Sequence, residues 1–307
     1  MVLGDSLTRK PLLDHFREPG QSVVYSPGFD ALGFRFRVVA DDRRLARHIG
    51  EVFADLTMPG PDGHRYAFRA TASPAGHPRC ELTLDERLMF AAPAPESLLT
   101  SLVQHVNRRA VEGCDLLTLH AGGVESGGMG LVFPGVMEAG KTTLVAGLVR
   151  AGFGYLTDEA VAIDRESLLI RPYPKPLSLE PGSWPLFPEL EPQADLATDQ
   201  YKAYEWQVPT AAIRPGALGR SCPVGVVVFP RYEPGADTAL EPIGRAEALV
   251  ELAQNTFKFK DRSRDTLDQL AEVVRPVACY RLTTGELDRA VEAVSSLAGA
   301  APGRRAS

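Results

Sequence analysis

One stretch, Gly135-Val136-Met137-Glu138-Ala139-Gly140-Lys141-Thr142, fits the pattern G-x-x-x-x-G-K-[ST], and its flanks constrain the chain more than any other feature. An apolar, β-prone run, Met129-Gly-Leu-Val-Phe-Pro134, comes before it. A helical pattern follows, with Leu144, Val145, Leu148 and Val149 on one face and Gly152 as the stop. A strand, a glycine-bearing turn and a helix N-terminus gather backbone N–H groups and the positive end of a helix dipole around one anion. In such a loop Lys141 reaches β- and γ-phosphates, and the Thr142 hydroxyl ligates Mg²⁺. The reading is a nucleotide site running from Gly135 through Thr143.

The bulk of the chain permits this and excludes other classes. Its 307 residues suffice for two compact domains, and 44% hydrophobic with 23% charged residues is ordinary for a soluble globular protein. A net charge of −6 leaves no electrostatic footprint for nucleic acid or an anionic membrane surface. No apolar run approaches the roughly 20 residues that span a bilayer. The N-terminus lacks a basic region followed by an apolar core, so no secretion signal is expected. Cys80, Cys114, Cys222 and Cys279 are widely spaced and read as single reduced thiols, which points to a cytoplasmic protein.

Periodicity divides the chain into an N-terminal accessory α/β domain, 1–112, a phosphate-loop domain, 113–300, which the resemblance given below makes the catalytic one, and a frayed tail, 301–307. In the first, Phe34–Val39 alternates as a half-buried strand, and Arg43–Leu56 reads as an amphipathic helix. Strand patterns follow at Tyr66–Thr71 and Glu81–Leu84. Glu96–Glu112 is predicted helical, with Leu98, Leu99, Leu102, Val103 and Val106 inward. Beyond Asp115 the order is strand, phosphate loop, helix, strand (Tyr155–Leu156) and strand (Val161–Ile163), the signature of an α/β nucleotide-binding core. Residues 181–222 hold both tryptophans and many prolines with little periodicity, as either a lid or binding segment, or an insertion packing its aromatics on the domain surface, would. Val224–Phe229 reads as a buried strand, and Ala246–Ala253, Thr266–Val274 and Leu287–Leu297 as helices.

Three further positions carry candidate chemistry. Asp158 and Glu159 stand 17 and 18 residues beyond Lys141, where a strand after the loop's helix would end and ligands bind. One acid there can hold Mg²⁺ while the other accepts the proton of an attacking hydroxyl. His120 closes the strand Leu116-Leu-Thr-Leu-His120 upstream of the loop. It reads either as a satisfied imidazole or as a group orienting a carboxylate or touching the γ-phosphate. Asn255, Lys258, Lys260, Arg262 and Arg264 form a basic segment that reads first as solvated surface.

His120-Ala-Gly-Gly-Val124, the loop, and Gly152-Phe-Gly-Tyr-Leu-Thr-Asp158-Glu159 together resemble the catalytic domain of HPr serine kinase/phosphorylase. They look similar to the HPr-kinase-like proteins of peptide-tailoring gene clusters, and the phosphoenolpyruvate carboxykinases have a similar core. Pro172-Tyr-Pro-Lys175-Pro-Leu-Ser178, Cys279-Tyr-Arg-Leu282 and Gly285-Glu-Leu-Asp288 extend the resemblance over roughly 115–298. It implies an α/β fold with an HPr-kinase/phosphoenolpyruvate-carboxykinase-like P-loop core. It also implies ATP and Mg²⁺ as cofactors, with Thr142, Asp158 and Glu159 at the metal. Asp158 and Glu159 would be the catalytic acids, assisted by His120. Lys175, with Arg171 as an additional candidate, would neutralise developing charge. Two departures stand out. Glu138 replaces the family's loop glycine, and no Glu-x-Arg-Gly-x-Gly segment of the bifunctional enzymes is present, which speaks against phosphorolysis and against HPr as the substrate.

The resemblance therefore implies a kinase transferring the γ-phosphate of ATP to a Ser/Thr or terminal hydroxyl of a peptide or small protein. A small-molecule acceptor is the runner-up. The alternative from another class is a nucleotide-binding module without phosphoryl transfer. An oligomer is compatible with the sequence, and no motif requires one.

Overall fold

The computed structural model describes residues 24–40, 43–60, 62–72, 76, 78–93, 97–136, 138–191, 205–259 and 263–300. Glu96, Met137, Lys260, Arg262, the stretch 192–204 and the tail 301–307 lie outside the described residues. The fold is mixed α/β with several sheets, and the described residues form two compact units. The first extends to Arg109 and also takes Glu180–Gln207; the second holds Ala110–Leu179 and Val208 onward. The sequence reading had assigned 180–207 to the catalytic segment.

In the first unit β1 (Val24–Ala31), β2 (Phe34–Ala40), α1 (Arg43–Val52), β3 (Thr57–Met58), β4 (His64–Ala72), β5 (Pro78–Leu84) and β6 (Arg87–Ala92) precede α2 (Ser97–Gly113). The sheet order is β3-β1-β2-β4-β5-β6, with β2 and β4 parallel and every other pair antiparallel. Period-two alternation sends Phe36 and Val38 inward while Arg35 stays in solvent. The inward face is aromatic: Phe29, Phe36 and Phe53 meet with ring centroids 5.2–5.4 Å apart, and Tyr66 reaches His105 Nδ1 of α2 at 2.7 Å. The predicted helix Arg43–Leu56 ends at Val52. A 3₁₀ turn, Ala54–Leu56, follows and still buries Leu56.

The second unit carries β7 (Leu117–Ser126), β8 (Met129–Pro134), α3 (Lys141–Arg150), β9 (Gly154–Thr157), β10 (Ala160–Ile163), β11 (Leu169–Arg171) and β12 (Leu177–Leu179). After β13 (Trp206–Val208) come α4 (Thr210–Ile213), β14 (Cys222–Tyr232), β15 (Ala239–Pro242), α5 (Arg245–Gln254), α6 (Ser263–Val274), β16 (Ala278–Thr284) and α7 (Leu287–Ala300). Its main sheet runs β11-β10-β7-β8-β14-β16-β15, with β9 also on β7. The three strands β8, β14 and β16 are mutually parallel, and the rest are joined antiparallel. On one face Ala248 and Leu252 of α5 and Leu270, Val273 and Val274 of α6 close a core with Leu117, Leu119, Val132 and Phe229. On the other, α3 packs over β7 and against α7.

That second packing has a specific cause. A Cβ built on Gly122 of β7 would fall 2.7 Å from Val145 Cγ2 of α3, so only glycine lets the helix settle there. Leu144, Val145, Leu148 and Val149 are all buried beneath α3, each contributing about 1.5–3 kcal/mol. The helix ends in a Schellman motif. Phe153 N–H donates to the Leu148 carbonyl, Gly152 N–H to that of Val149, and Gly152 adopts φ +114°. Arg214 then donates to the carbonyls of Val149, Gly152 and Phe153 at 3.0, 3.1 and 2.8 Å, covering the negative end of the helix dipole.

Candidate functional site

The site is built where β8 ends. Gly135 follows Pro134, and Gly140 caps α3 in the left-handed region at φ 82°. Glu138 is also left-handed at φ 65° and exposed, so an L-residue occupies backbone that favours glycine. Lys141 is buried at the first position of α3 and folds its ammonium back into the loop. Nζ donates to the carbonyls of Gly135 at 2.8 Å and Val136 at 2.7 Å. Thr142 and Thr143, half-buried, continue the first turn.

The acid pair arises from a break in one edge of β7. Gly123 pairs with Thr157 of β9 and His120 with Ala160 of β10, so Asp158 and Glu159 bridge two short strands on the same neighbour. Thr157 Oγ1 accepts N–H bonds from Glu159 at 3.4 Å and Ala160 at 3.3 Å, which holds the bend. Asp158 is 1% exposed. Its Oδ1 faces Lys175 Nζ at 2.8 Å and the Tyr155 hydroxyl at 3.0 Å, and Oδ2 accepts from Thr142 Oγ1 at 3.3 Å and Ser178 N–H at 3.2 Å. A buried carboxylate needs this many partners to remain charged.

Lys175 is equally buried, at 1% exposure. Besides Asp158 it reaches Glu159 Oε2 at 3.6 Å and donates to the Pro176 carbonyl at 3.0 Å. Tyr155 shares its hydroxyl proton between Asp158 and the Lys175 carbonyl at 2.8 Å. Glu159 is different. Its side chain keeps 40% of its surface exposed, so it alone of the pair meets solvent. Two lysines against two carboxylates leave the cluster close to neutral.

His120 lies inside β7, which runs on through Gly122 and Gly123 to Ser126 rather than closing at the histidine. Its backbone ties two elements to the loop: N–H donates to the Asn255 carbonyl at 2.6 Å, and its carbonyl accepts from Gly135 N–H at 3.3 Å. The imidazole packs against Phe257. Burial first, and the charge of Lys141 second, pull its pKa down to about 4, so the ring is neutral at physiological pH.

The structure thus brings Lys141, Thr142, Asp158, Glu159 and Lys175 into one cluster beside the Gly135–Gly140 loop, with His120 at its edge. It separates the others. Arg171 is exposed on β11, where its charge acts on Asp164. Lys258 donates to the Cys114 carbonyl at 2.9 Å, Asn255 acts through its backbone, and Arg264 is exposed on α6. Two residues that the sequence did not single out are Tyr155 and Tyr173. The Tyr173 hydroxyl is buried without a hydrogen-bond partner, and burial, then the charges of Glu159 and Asp158, push its pKa well up. A tyrosine within a buried strand, three residues before an acid, is the signal that could have drawn attention to Tyr155.

Two oxygen donors of the cluster are compatible with Mg²⁺. Thr142 Oγ1 and Asp158 Oδ2, 3.3 Å apart, have nearly the spacing of adjacent oxygens in a Mg²⁺ octahedron, about 3 Å for bonds of about 2.1 Å. Among the described residues no group of three or more His, Cys, Asp or Glu side chains is arranged to hold a metal. An ion here would take most of its ligands from phosphate and water, as Mg²⁺ does. All four cysteines are buried and none forms a disulfide. Among the described residues no helix is long and apolar enough to cross a membrane. No protein-family model matches the chain, and no curated protein matches it significantly.

Proposed function

We propose that this chain is an ATP-dependent kinase that transfers the γ-phosphate to a hydroxyl of a peptide or small protein in the cytoplasm. The observation that carries this reading is the buried Asp158, bound at once to the phosphate-loop threonine and to the buried Lys175. A loop alone would account for nucleotide binding. A buried carboxylate wired to it, beside a second, solvent-facing carboxylate, supports group transfer.

The roles follow from exposure. Lys141 leaves its two loop carbonyls and turns its charge to the β- and γ-phosphates. Thr142 and Asp158 would hold Mg²⁺, which supplies charge neutralisation across the phosphates when bound. Lys175 fixes Asp158 and lies close enough to Glu159 to steady charge that builds up between them. Glu159, the accessible acid, takes the proton of the acceptor hydroxyl as its oxygen bonds to the γ-phosphorus and the bond to the β-phosphate oxygen breaks. Neutral His120 offers an N–H or a lone pair, but no charge. The products are a phosphate ester and ADP. The net charge of −6 argues against a nucleic-acid acceptor.

The test is MgATP consumption with and without candidate peptides and metabolites. A kinase gives acceptor-stimulated ADP release and an acceptor heavier by about 80 Da, the mass of HPO₃. Glu159→Gln should then remove turnover and spare ATP affinity. A second reading, a nucleotide-binding module without transfer, is favoured by Glu138 in the loop's left-handed position. Tight ATP binding with no turnover under any acceptor would select it.

A further inference from the structure

Tyr232 is the last residue of β14 and keeps 54% of its surface exposed. Among the described residues it is the one aromatic side chain in the exposed class, and every tyrosine at the acid pair is buried. Since β14 runs parallel to β8, with Val227 opposite Val132, both strands end at the edge of the sheet where α/β proteins take ligands. A Cβ built on Gly140 would lie 3.5 Å from Tyr232 Cβ, so the ring leaves its strand directly beside the cap of α3.

The sheet order decides what could lie on it. In β10-β7-β8-β14 the loop after β8 is flanked by the acid pair on the β7 side and by Tyr232 on the other. A nucleoside triphosphate is a linear molecule, with the transferred phosphate at one end and the base at the other. When the terminal phosphates lie between Lys141 and the acids, the base extends to the opposite flank.

The platform there is fixed. Tyr232 is in register with Thr284 of β16, and Glu233 N–H donates to the Thr284 carbonyl at 2.9 Å. Ala236 N–H donates to Glu233 and Gly285 N–H to Ala236, at 3.0 and 3.2 Å. A Cβ on Gly285 would stand 2.9 Å from three backbone atoms of this turn, so the two turns close onto each other with no side chain between them. An exposed aromatic ring on pinned backbone presents its face at the cost of ordering its side chain alone, with no loop to order.

We propose that Tyr232 is the stacking platform for the base of the bound nucleotide, an inference that rests on the nucleotide reading of the loop. Stacking uses the π-face that every base has, so it contributes affinity with little discrimination between adenine and guanine.

The experiment is calorimetric titration of the full chain with MgATP, MgGTP and magnesium tripolyphosphate. Tyr232→Ala should weaken ATP and GTP alike by about tenfold and leave tripolyphosphate unchanged, and Tyr232→Phe should keep wild-type affinity for all three. If Tyr232→Ala binds ATP as tightly as wild type does, the platform assignment is overturned while the nucleotide reading stands. Equal losses for ATP and tripolyphosphate would also overturn it, because they would mean a damaged loop. Wild type that binds neither ATP nor tripolyphosphate would sink the nucleotide reading itself, and this inference with it.

Discussion

Replacing Lys175 with methionine removes one charge from a pair that has no access to water. The side chains are 2% and 0% exposed, and Nζ stands 2.8 Å from Asp158 Oδ1. At an effective dielectric constant of about 20, two charges at that separation attract by roughly 6 kcal/mol. Methionine nearly matches the volume, so packing changes little and the loss is electrostatic. Desolvation offsets part of the attraction in the intact pair, but Lys175→Met leaves Asp158 buried without its cation. The expected cost is about 3–5 kcal/mol, or roughly 10 °C in Tm for a unit of this size. Calorimetry is the proper assay, because it reads every transition of the chain. The double variant Asp158→Asn/Lys175→Met removes both charges and should recover at least half of the loss. A cost below about 1 kcal/mol, or single costs that merely add in the double variant, would refute a buried, charged, coupled pair.

Three other perturbations probe separate links. Gly122→Ala places a methyl 2.7 Å from Val145 Cγ2 and should cost about 1–3 kcal/mol. Adding Val145→Ala should recover part of it, whereas Gly113→Ala, with nothing within 4 Å, should be neutral or stabilising in the same denaturation assay. His120 is held neutral by the fold, with its pKa at about 4 against 6.5 in an open chain. Between those values the unfolded chain binds a proton that the fold does not, so stability falls as pH drops through the window. His120→Gln should flatten that slope in denaturation curves taken above and below it, and an unchanged slope would show that other groups produce it. Glu138→Gly relieves left-handed strain of about 1 kcal/mol and removes a negative charge from the proposed phosphate site, whereas Glu138→Ala removes only the charge. In denaturation curves the glycine variant should be more stable than the alanine variant by about 1 kcal/mol, because strain present with and without ligand acts on stability and not on affinity. In a tripolyphosphate titration both variants should bind more tightly than wild type and about equally, and an alanine variant as stable as the glycine one contradicts the strain argument.

The parts of this site that could be read from the sequence are those whose chemistry is local. The loop, its strand and its helix are specified by Gly135, Gly140, the apolar run before them and the 3.6-residue spacing after them. The acids Asp158 and Glu159 were legible because they end the next strand. Local reasoning stopped at Gly122 and Gly123, whose low strand propensity hid that β7 continues to Ser126. The strands β11, β12, β13 and β15, of three or four residues each, are too short for any periodicity to register. Lys175 sits between two prolines in what reads as a surface loop. Its burial depends on a carboxylate 17 residues earlier and a tyrosine 20 residues earlier, which no spacing rule joins. Residues 180–207 are assigned by adjacency in the chain, while the described ones among them, 180–191 and 205–207, group with the first unit.

What the long-range contacts add is a common reference for the two halves of the site. Gly122 of β7 receives α3 through Val145, and that sets where Lys141 and Thr142 stand. The same stretch of β7 carries the acids on its other edge, where Ala121 N–H donates to the Glu159 carbonyl at 3.0 Å. His120, one residue before, accepts the N–H of Gly135 at the start of the loop. The Gly135–Gly140 loop, the helix and the acid pair are therefore each positioned against residues 120–123 of one strand. A shift in that strand moves all three together, while the 3.3 Å separation of Thr142 and Asp158 is kept. For the proposed kinase this matters, because catalytic groups lose rate steeply when misplaced by about 1 Å. Anchoring loop, helix and acids to one short segment makes their mutual geometry insensitive to motion elsewhere in the unit, and it accounts for the glycine at position 122, where any side chain would separate the helix from the strand.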